Sequence, residues 1–177
     1  MTGADLRIMR WVAQHRFAAG NGFAGHVMAL TNDRFAWLLV AIVSGAYVIV
    51  SRRLRFAVVV VGAVAAAYVA SFVLKDLFQI ARPLPSLELV YVDGWSFPST
   101  DAAITAAAAS AAFFGVTWVS GQVRRRLAWT LGGLVGIVGL LLVYVGAHWP
   151  TDVLAGWVLG GAVGVGVAHL GRRIRSG

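Results

Sequence analysis

The chain contains no cysteine, so disulfides, thiol nucleophiles and thiolate metal ligands are all excluded. It is also poor in charge: Asp, Glu, Lys and Arg make up 12% of 177 residues, against about 25% in an ordinary soluble domain. The charges it has are clustered, which leaves long uncharged runs. A soluble domain of this size needs a polar surface, and this sequence cannot supply one. Acidic residues are the scarcest charged class, seven against fifteen Lys and Arg. In a soluble protein a net charge of +8 would point to nucleic acid. Here the arginines flank apolar runs, where they set orientation in a bilayer instead. No nucleic-acid partner is expected.

What is present in abundance is apolar surface, 59% of residues with a mean hydropathy of +0.79. The expected fold is all-α: a polytopic membrane helix bundle forming one integral-membrane domain over 1–177. About five transmembrane helices are expected, together with an N-terminal interfacial helix. Residues 3–18 carry Leu6, Met9, Trp11, Val12 and Phe17 on one broad side, with Arg7, Arg10, Gln14 and Arg16 elsewhere. That segment is too short and polar to span, so it belongs in the interface. Its arginines also interrupt any apolar core of a cleavable signal. Gly20-Asn21-Gly22 is expected to break it.

The first span is expected over 35–50, as part of a long helix whose first turns rise out of the bilayer. Its 16 residues fall short of the ~20 needed to cross. Asn32-Asp33-Arg34 would mark the interface. Further spans are expected over 56–78, 102–120, 127–146 and 153–170, with basic loops at 51–55 and 122–126. Nine arginines lie in those two loops and the C-terminal tail, which contain no acidic residue. Short basic loops stay in the cytoplasm. The expected location is therefore a bacterial cytoplasmic membrane, with segments 79–100 and 147–152 on the extracytoplasmic face. Gly132 and Gly136, and then Gly156, Gly160 and Gly164, recur at intervals of four. Small residues at that spacing make a flat stripe for close helix packing.

The outward seams collect the chemistry: Lys75 and Arg82, then Ser99 and Asp101, then His148 and Asp152. Each alone has a plain reading. The cations could snorkel to head groups, Ser99 could cap a helix, and His148 with Asp152 could be a structural i, i+4 pair. Together they suit a phosphate. Ionisable groups at the ends of spans are costly unless they pair or bind something. Cations and the free N–H groups of a helix that starts after Pro98 would neutralise and cradle an anion. A histidine oriented by a carboxylate is an activated nucleophile, with Asp152 on Nδ1 and Nε2 free to attack phosphorus.

These residues also follow a known pattern. Lys75, Arg82 and Pro83 fill K-x6-R-P, and Pro98-Ser99-Thr100-Asp101 stands where P-S-G-H is usual. His148 and Asp152 fill the end of S-R-x5-H-x3-D, with Leu141 and Leu142 at its Ser-Arg positions. Over about residues 22–170 the chain resembles the type 2 phosphatidic acid phosphatase superfamily, in particular small bacterial members that act on undecaprenyl diphosphate. The resemblance implies a lipid (di)phosphate phosphatase that recycles a carrier lipid for envelope synthesis, with no metal and no other cofactor. Its partners would be the lipid phosphate substrate and the surrounding membrane lipids. Lys75 and Arg82 would bind phosphate, assisted by Ser99, Thr100 and nearby amides. His148 would be the nucleophile, Asp152 its orienting partner, and Asp101 would stand in place of the histidine that protonates the leaving group. Leu142 replaces a phosphate-binding arginine. The alternative is an impaired member that binds lipid phosphate head groups without hydrolysing them.

Overall fold

A computed structural model describes residues 2–32, 53–116 and 119–173. Among these there is no strand, and the chain is all-α as expected. The helices are α1 (Gly3–Gln14), α2 (Ala18–Asn32), α3 (Leu54–Phe78), α4 (Thr100–Gly115), α5 (Gly121–Tyr144) and α6 (Pro150–Arg173), with a 3-10 turn at Pro85–Leu87. Helices α3, α5 and α6 are each long and apolar enough to cross a membrane. The expected span over 35–50 lies outside the described residues, as do Asp33 and Arg34.

Three boundaries differ from the sequence expectation, each for a local reason. The N-terminal break falls at 15–17, and Gly20-Asn21-Gly22 lies inside α2. Gly20 lets the Tyr144 hydroxyl approach the helix, since a Cβ would come within 2.5 Å of it. The same hydroxyl donates to Asn21 Oδ1. Helix α4 starts at Thr100, because the Ser99 hydroxyl accepts the Ala102 N–H, and it stops at Gly115. At 16 residues it is shorter than the expected span. The basic stretch 122–126 forms the opening turns of α5 rather than a loop; arginine is a good helix former.

Helix α4 is central, packed chiefly on α6 and also on α3 and α5. Its contact with α6 is made by the glycine stripe. A Cβ at Gly156 would lie 2.6 Å from Ser99 O, one at Gly160 2.0 Å from Ala103 O, and one at Gly164 2.5 Å from Ala107 O. The α6 backbone therefore rides directly on α4, as the spacing implied. Gly132 and Gly136 do not share that role, since a Cβ at either meets no described atom. In α5 it is Gly139 that admits a partner, the Trp157 ring. A second layer joins α3 to α4 through Ala63, Ala67, Ala107 and Ala111.

This packing sets the C-termini of α3 and α5 beside the N-termini of α4 and α6. The arginines of the basic stretches collect at the other end, where Arg124 donates to Val116 O and Arg172 to Phe114 O, while Arg16 and Arg82 stay at the first. Helix α1 lies across the first end. Met9 packs with Trp149 and Leu87, while Ile8 and Trp11 are exposed.

Gly160→Ala is expected to cost roughly 1–3 kcal/mol through overpacking, and Gly132→Ala to leave stability unchanged or raised. Thermal unfolding of the purified protein in detergent measures both.

Candidate active site

Lys75 sits in the last turn of α3, which ends at Gln79 in a left-handed conformation and turns the chain into segment 79–99. Lys75 Nζ donates to Trp95 O at 2.6 Å and Ser96 O at 3.2 Å. Arg82 donates from Nε to Asp93 O and Gly94 O, and from Nη1 to Ala147 O at 2.6 Å. The cations thus hold the loop in place through carbonyl oxygens, which are weaker partners for a cation than a carboxylate or phosphate. Trp149 Nε1 donates to Ala81 O, and the Ser99 N–H to Asp152 O. All three seams are therefore hydrogen-bonded to one another.

His148 occupies the link between α5 and α6. Gly146, with φ of +82°, makes the bend, and a Cβ there would strike Leu87 O. The His148 side chain is 4% exposed and that of Asp152 1%. Arg82 Nη1 stands 3.4 Å from His148 Nε2. A guanidinium only donates, so Nε2 is the bare nitrogen and Nδ1 carries the proton. Burial holds the His148 pKa below 6.5, with Arg82 and Lys75 adding to the effect and Asp152 opposing it. The imidazole is therefore neutral at neutral pH, with its lone pair beside two cations.

Of the other expected site residues, Ser99 is fully buried at the start of α4. Beside it, the Thr100 hydroxyl is buried with no hydrogen-bond partner among the described residues. The N–H groups of Thr100 and Asp101 likewise find no acceptor there. Asp101 is exposed and within electrostatic reach of Lys75 and Arg82. Leu142 is 4% exposed, in an apolar cluster with Ala102, Val145, Ala147 and Val153. The position held elsewhere by an arginine is thus part of the core.

Two features were missed in the sequence. The first is Ser96, fully buried, whose hydroxyl donates to Asp152 Oδ2 and lies 3.4 Å from His148 Nδ1. The direct Nδ1–Oδ2 separation is 3.6 Å, beyond hydrogen-bond range. The only sequence signal was a lone serine between Trp95 and Phe97. The second is Asp5, which accepts from the Thr151 N–H at 3.1 Å and the Thr151 hydroxyl at 3.0 Å. Burial pushes its pKa up, but bonds from Thr2 and Thr151 outweigh this and hold it low. Helix α1 is thereby fastened to the start of α6. Arg16 adds bonds to Tyr144 O and Leu87 O.

The PAP2 superfamily model matches residues 56–176, which include all of these residues except those of α1 and its linker. The chain belongs to the PAP2 superfamily. An undecaprenyl-diphosphatase of Sulfolobus acidocaldarius is 36% identical over 95 residues. That match covers 52% of this chain and 42% of the relative, so the chain spans less than half of that protein. The fold is similar to that of a transmembrane PAP2-type phosphatidylglycerolphosphate phosphatase from Bacillus subtilis, with a TM-score of 0.82 and 22% identity. That likeness covers 97% of this chain and 86% of the other. It is similar also to LpxE of Aquifex aeolicus, at TM-score 0.73 and 21% identity over 95% and 96% of the two chains. The family and the fold make this PAP2 protein a membrane protein of the lipid phosphatase class.

The depressed His148 pKa carries a sign. Between the unfolded value of 6.5 and the lower folded value, the unfolded chain binds the proton more readily. Stability is therefore undiminished above 6.5 and falls as pH drops from there towards the folded value. Nitrogen NMR of labelled histidine is expected to find His148 neutral at pH 6.5, protonated on Nδ1 with Nε2 bare.

Proposed function

We propose that this PAP2 protein hydrolyses a polyprenyl diphosphate or related lipid phosphate through a phosphohistidine on His148. One observation carries the reading: the bare Nε2 of a buried, neutral imidazole faces Arg82 and lies close to Lys75. The unpartnered Thr100 hydroxyl at the start of α4 adds a donor on the same seam. These groups suit a phosphoryl group with its oxygens on the cations and on the first N–H groups of α4, and phosphorus in front of Nε2.

In the first step the Nε2 lone pair forms the N–P bond, and the P–O bond to the lipid breaks with its electron pair leaving on oxygen. Asp152 compensates the positive charge that the imidazole acquires. Water then attacks phosphorus, the N–P bond breaks, and Nε2 recovers its lone pair as inorganic phosphate and a proton are released. Lys75 and Arg82 stabilise the charge on the equatorial oxygens in both steps.

The second-motif histidine is absent, and this governs the substrate. A monoester expels an alkoxide, which needs a proton, and losing a general acid typically costs about 10²–10⁴-fold. A diphosphate expels a lipid monophosphate, already a stable anion, and asks little of Asp101. Asp101 is the acid candidate for monoesters. The active site faces the extracytoplasmic side of a bacterial cytoplasmic membrane, because the short basic stretches and the C-terminal arginines gather at the opposite end.

Phosphate release from polyprenyl diphosphate, polyprenyl phosphate and phosphatidic acid tests this, beside His148→Ala. The diphosphate is expected to turn over fastest and the alanine variant not at all. Asp101→Ala is expected to slow the monoesters by about 10²-fold or more, with a smaller effect on the diphosphate. Lipid phosphate binding with no release above that of His148→Ala would overturn hydrolysis in favour of a head-group-binding protein.

A further inference from the structure

The third-motif pair does not meet. At 3.6 Å, His148 Nδ1 and Asp152 Oδ2 are too far apart for a direct hydrogen bond, yet neither group is exposed to water that could bridge them. The Ser96 hydroxyl occupies the gap. A serine hydroxyl has a single hydrogen. Ser96 donates it to Asp152 Oδ2, so Nδ1 must be the donor to Ser96 Oγ. The other face of the ring demands the same tautomer, because Arg82 can only donate to Nε2. Two independent neighbours thus agree on where the proton sits.

Ser96 is itself held from three sides. Its N–H donates to Ile80 O at 2.7 Å, its carbonyl accepts from Lys75 Nζ, and its side chain is fully enclosed. It is the one described residue bonded directly to groups of all the other seam segments: Lys75 on α3, Ile80 ahead of Arg82, His148, and Asp152 on α6.

We infer that Ser96 is a positioning residue for His148, its hydroxyl completing a His148–Ser96–Asp152 chain that fixes the imidazole with Nε2 turned to the phosphate. This rests on the reading of His148 as nucleophile. During attack the ring becomes a phosphorylated imidazolium. No proton leaves Nδ1; it stays bonded to Ser96, which passes the carboxylate's field to the ring. The charged groups facing the ring are Asp152 from α6, Arg82 from segment 79–99 and Lys75 from α3. Asp101 on α4 acts on those two cations, and α5 brings only the Leu142 carbonyl, which accepts the His148 N–H.

Removing the hydroxyl leaves the ring free to tilt and deprives Asp152 of a donor, so more of the carboxylate's charge acts on the imidazole. In the full-length protein, Ser96→Ala and Ser96→Cys are expected to lower kcat on polyprenyl diphosphate by about tenfold to a hundredfold, with KM unchanged. The acid limb of kcat/KM should move to higher pH. Ser96→Thr, which keeps the hydroxyl, should restore both. An unchanged pH profile and kcat in a folded Ser96→Ala protein would overturn the inference. Nitrogen NMR of labelled histidine decides the matter even if the wild type releases no phosphate, which would count against hydrolysis alone. The wild-type imidazole should carry its proton on Nδ1, and Ser96→Ala should shift its titration upward. A wild-type proton on Nε2, or an identical titration in the variant, would refute the chain.

Discussion

The site depends on two helices passing closer than side chains allow. Gly156 places α6 against Ser99 O, and Gly160 and Gly164 continue the contact down the pair. Only at that separation can the Ser99 N–H reach the Asp152 carbonyl, which ties the start of α4 to the backbone of Asp152 in the first turn of α6. Backbone-to-backbone packing has no rotamers to adjust, so it transmits position with little slack. The polar groups above it inherit that rigidity. The α3 contact uses alanine in the same way, which brings Lys75 to the seam at a fixed height.

Above this apolar base lies a layer in which cations are stored against backbone carbonyls. Carboxylates act on Lys75 and Arg82 from a distance, and among the described residues neither cation is in an ion pair with one. Had either been locked in a buried ion pair, an anion would have had to break it. Burial lowers the pKa of Arg82, against the pull of Asp152, Asp101, Glu88 and Asp93, but an arginine stays charged. The result is positive charge held ready beside a neutral base. Leu142 completes the picture from the other side, where an apolar cluster stands at the place of a third cation.

Much of this was legible in the sequence because it rests on periodicity and on ordered motifs. The helices over 56–78 and 153–170 follow from hydropathy and the stripe on α6 from spacing, while the clustering of Lys75, Arg82, His148 and Asp152 follows from the order of loops and motifs. Other features rest on contacts between segments distant in the chain, which spacing does not encode. Ser96 is a single polar residue among aromatics until the fold sets it between His148 and Asp152. Asp5 sits on a short amphipathic segment with nothing local to single it out, and its partner is 146 residues away. Gly20 read as part of a break because the Tyr144 hydroxyl that it lets approach lies in α5, far away in the chain. Gly132 and Gly136 share the interval of the α6 stripe without its neighbours.

Two helices, α4 and α6, begin at this seam, and each start is a place where backbone N–H groups invite an anion. They are not equivalent. Asp5 receives the Thr151 N–H and Asp152 receives the Trp149 N–H, so the α6 terminus already carries two carboxylates. At α4 the N–H groups of Thr100 and Asp101 find no acceptor among the described residues. One socket is plugged by the protein's own acids and the other is left open. On the proposed reading, the N-terminal helix supplies one of the plugs and leaves the start of α4 as the open end for the phosphate.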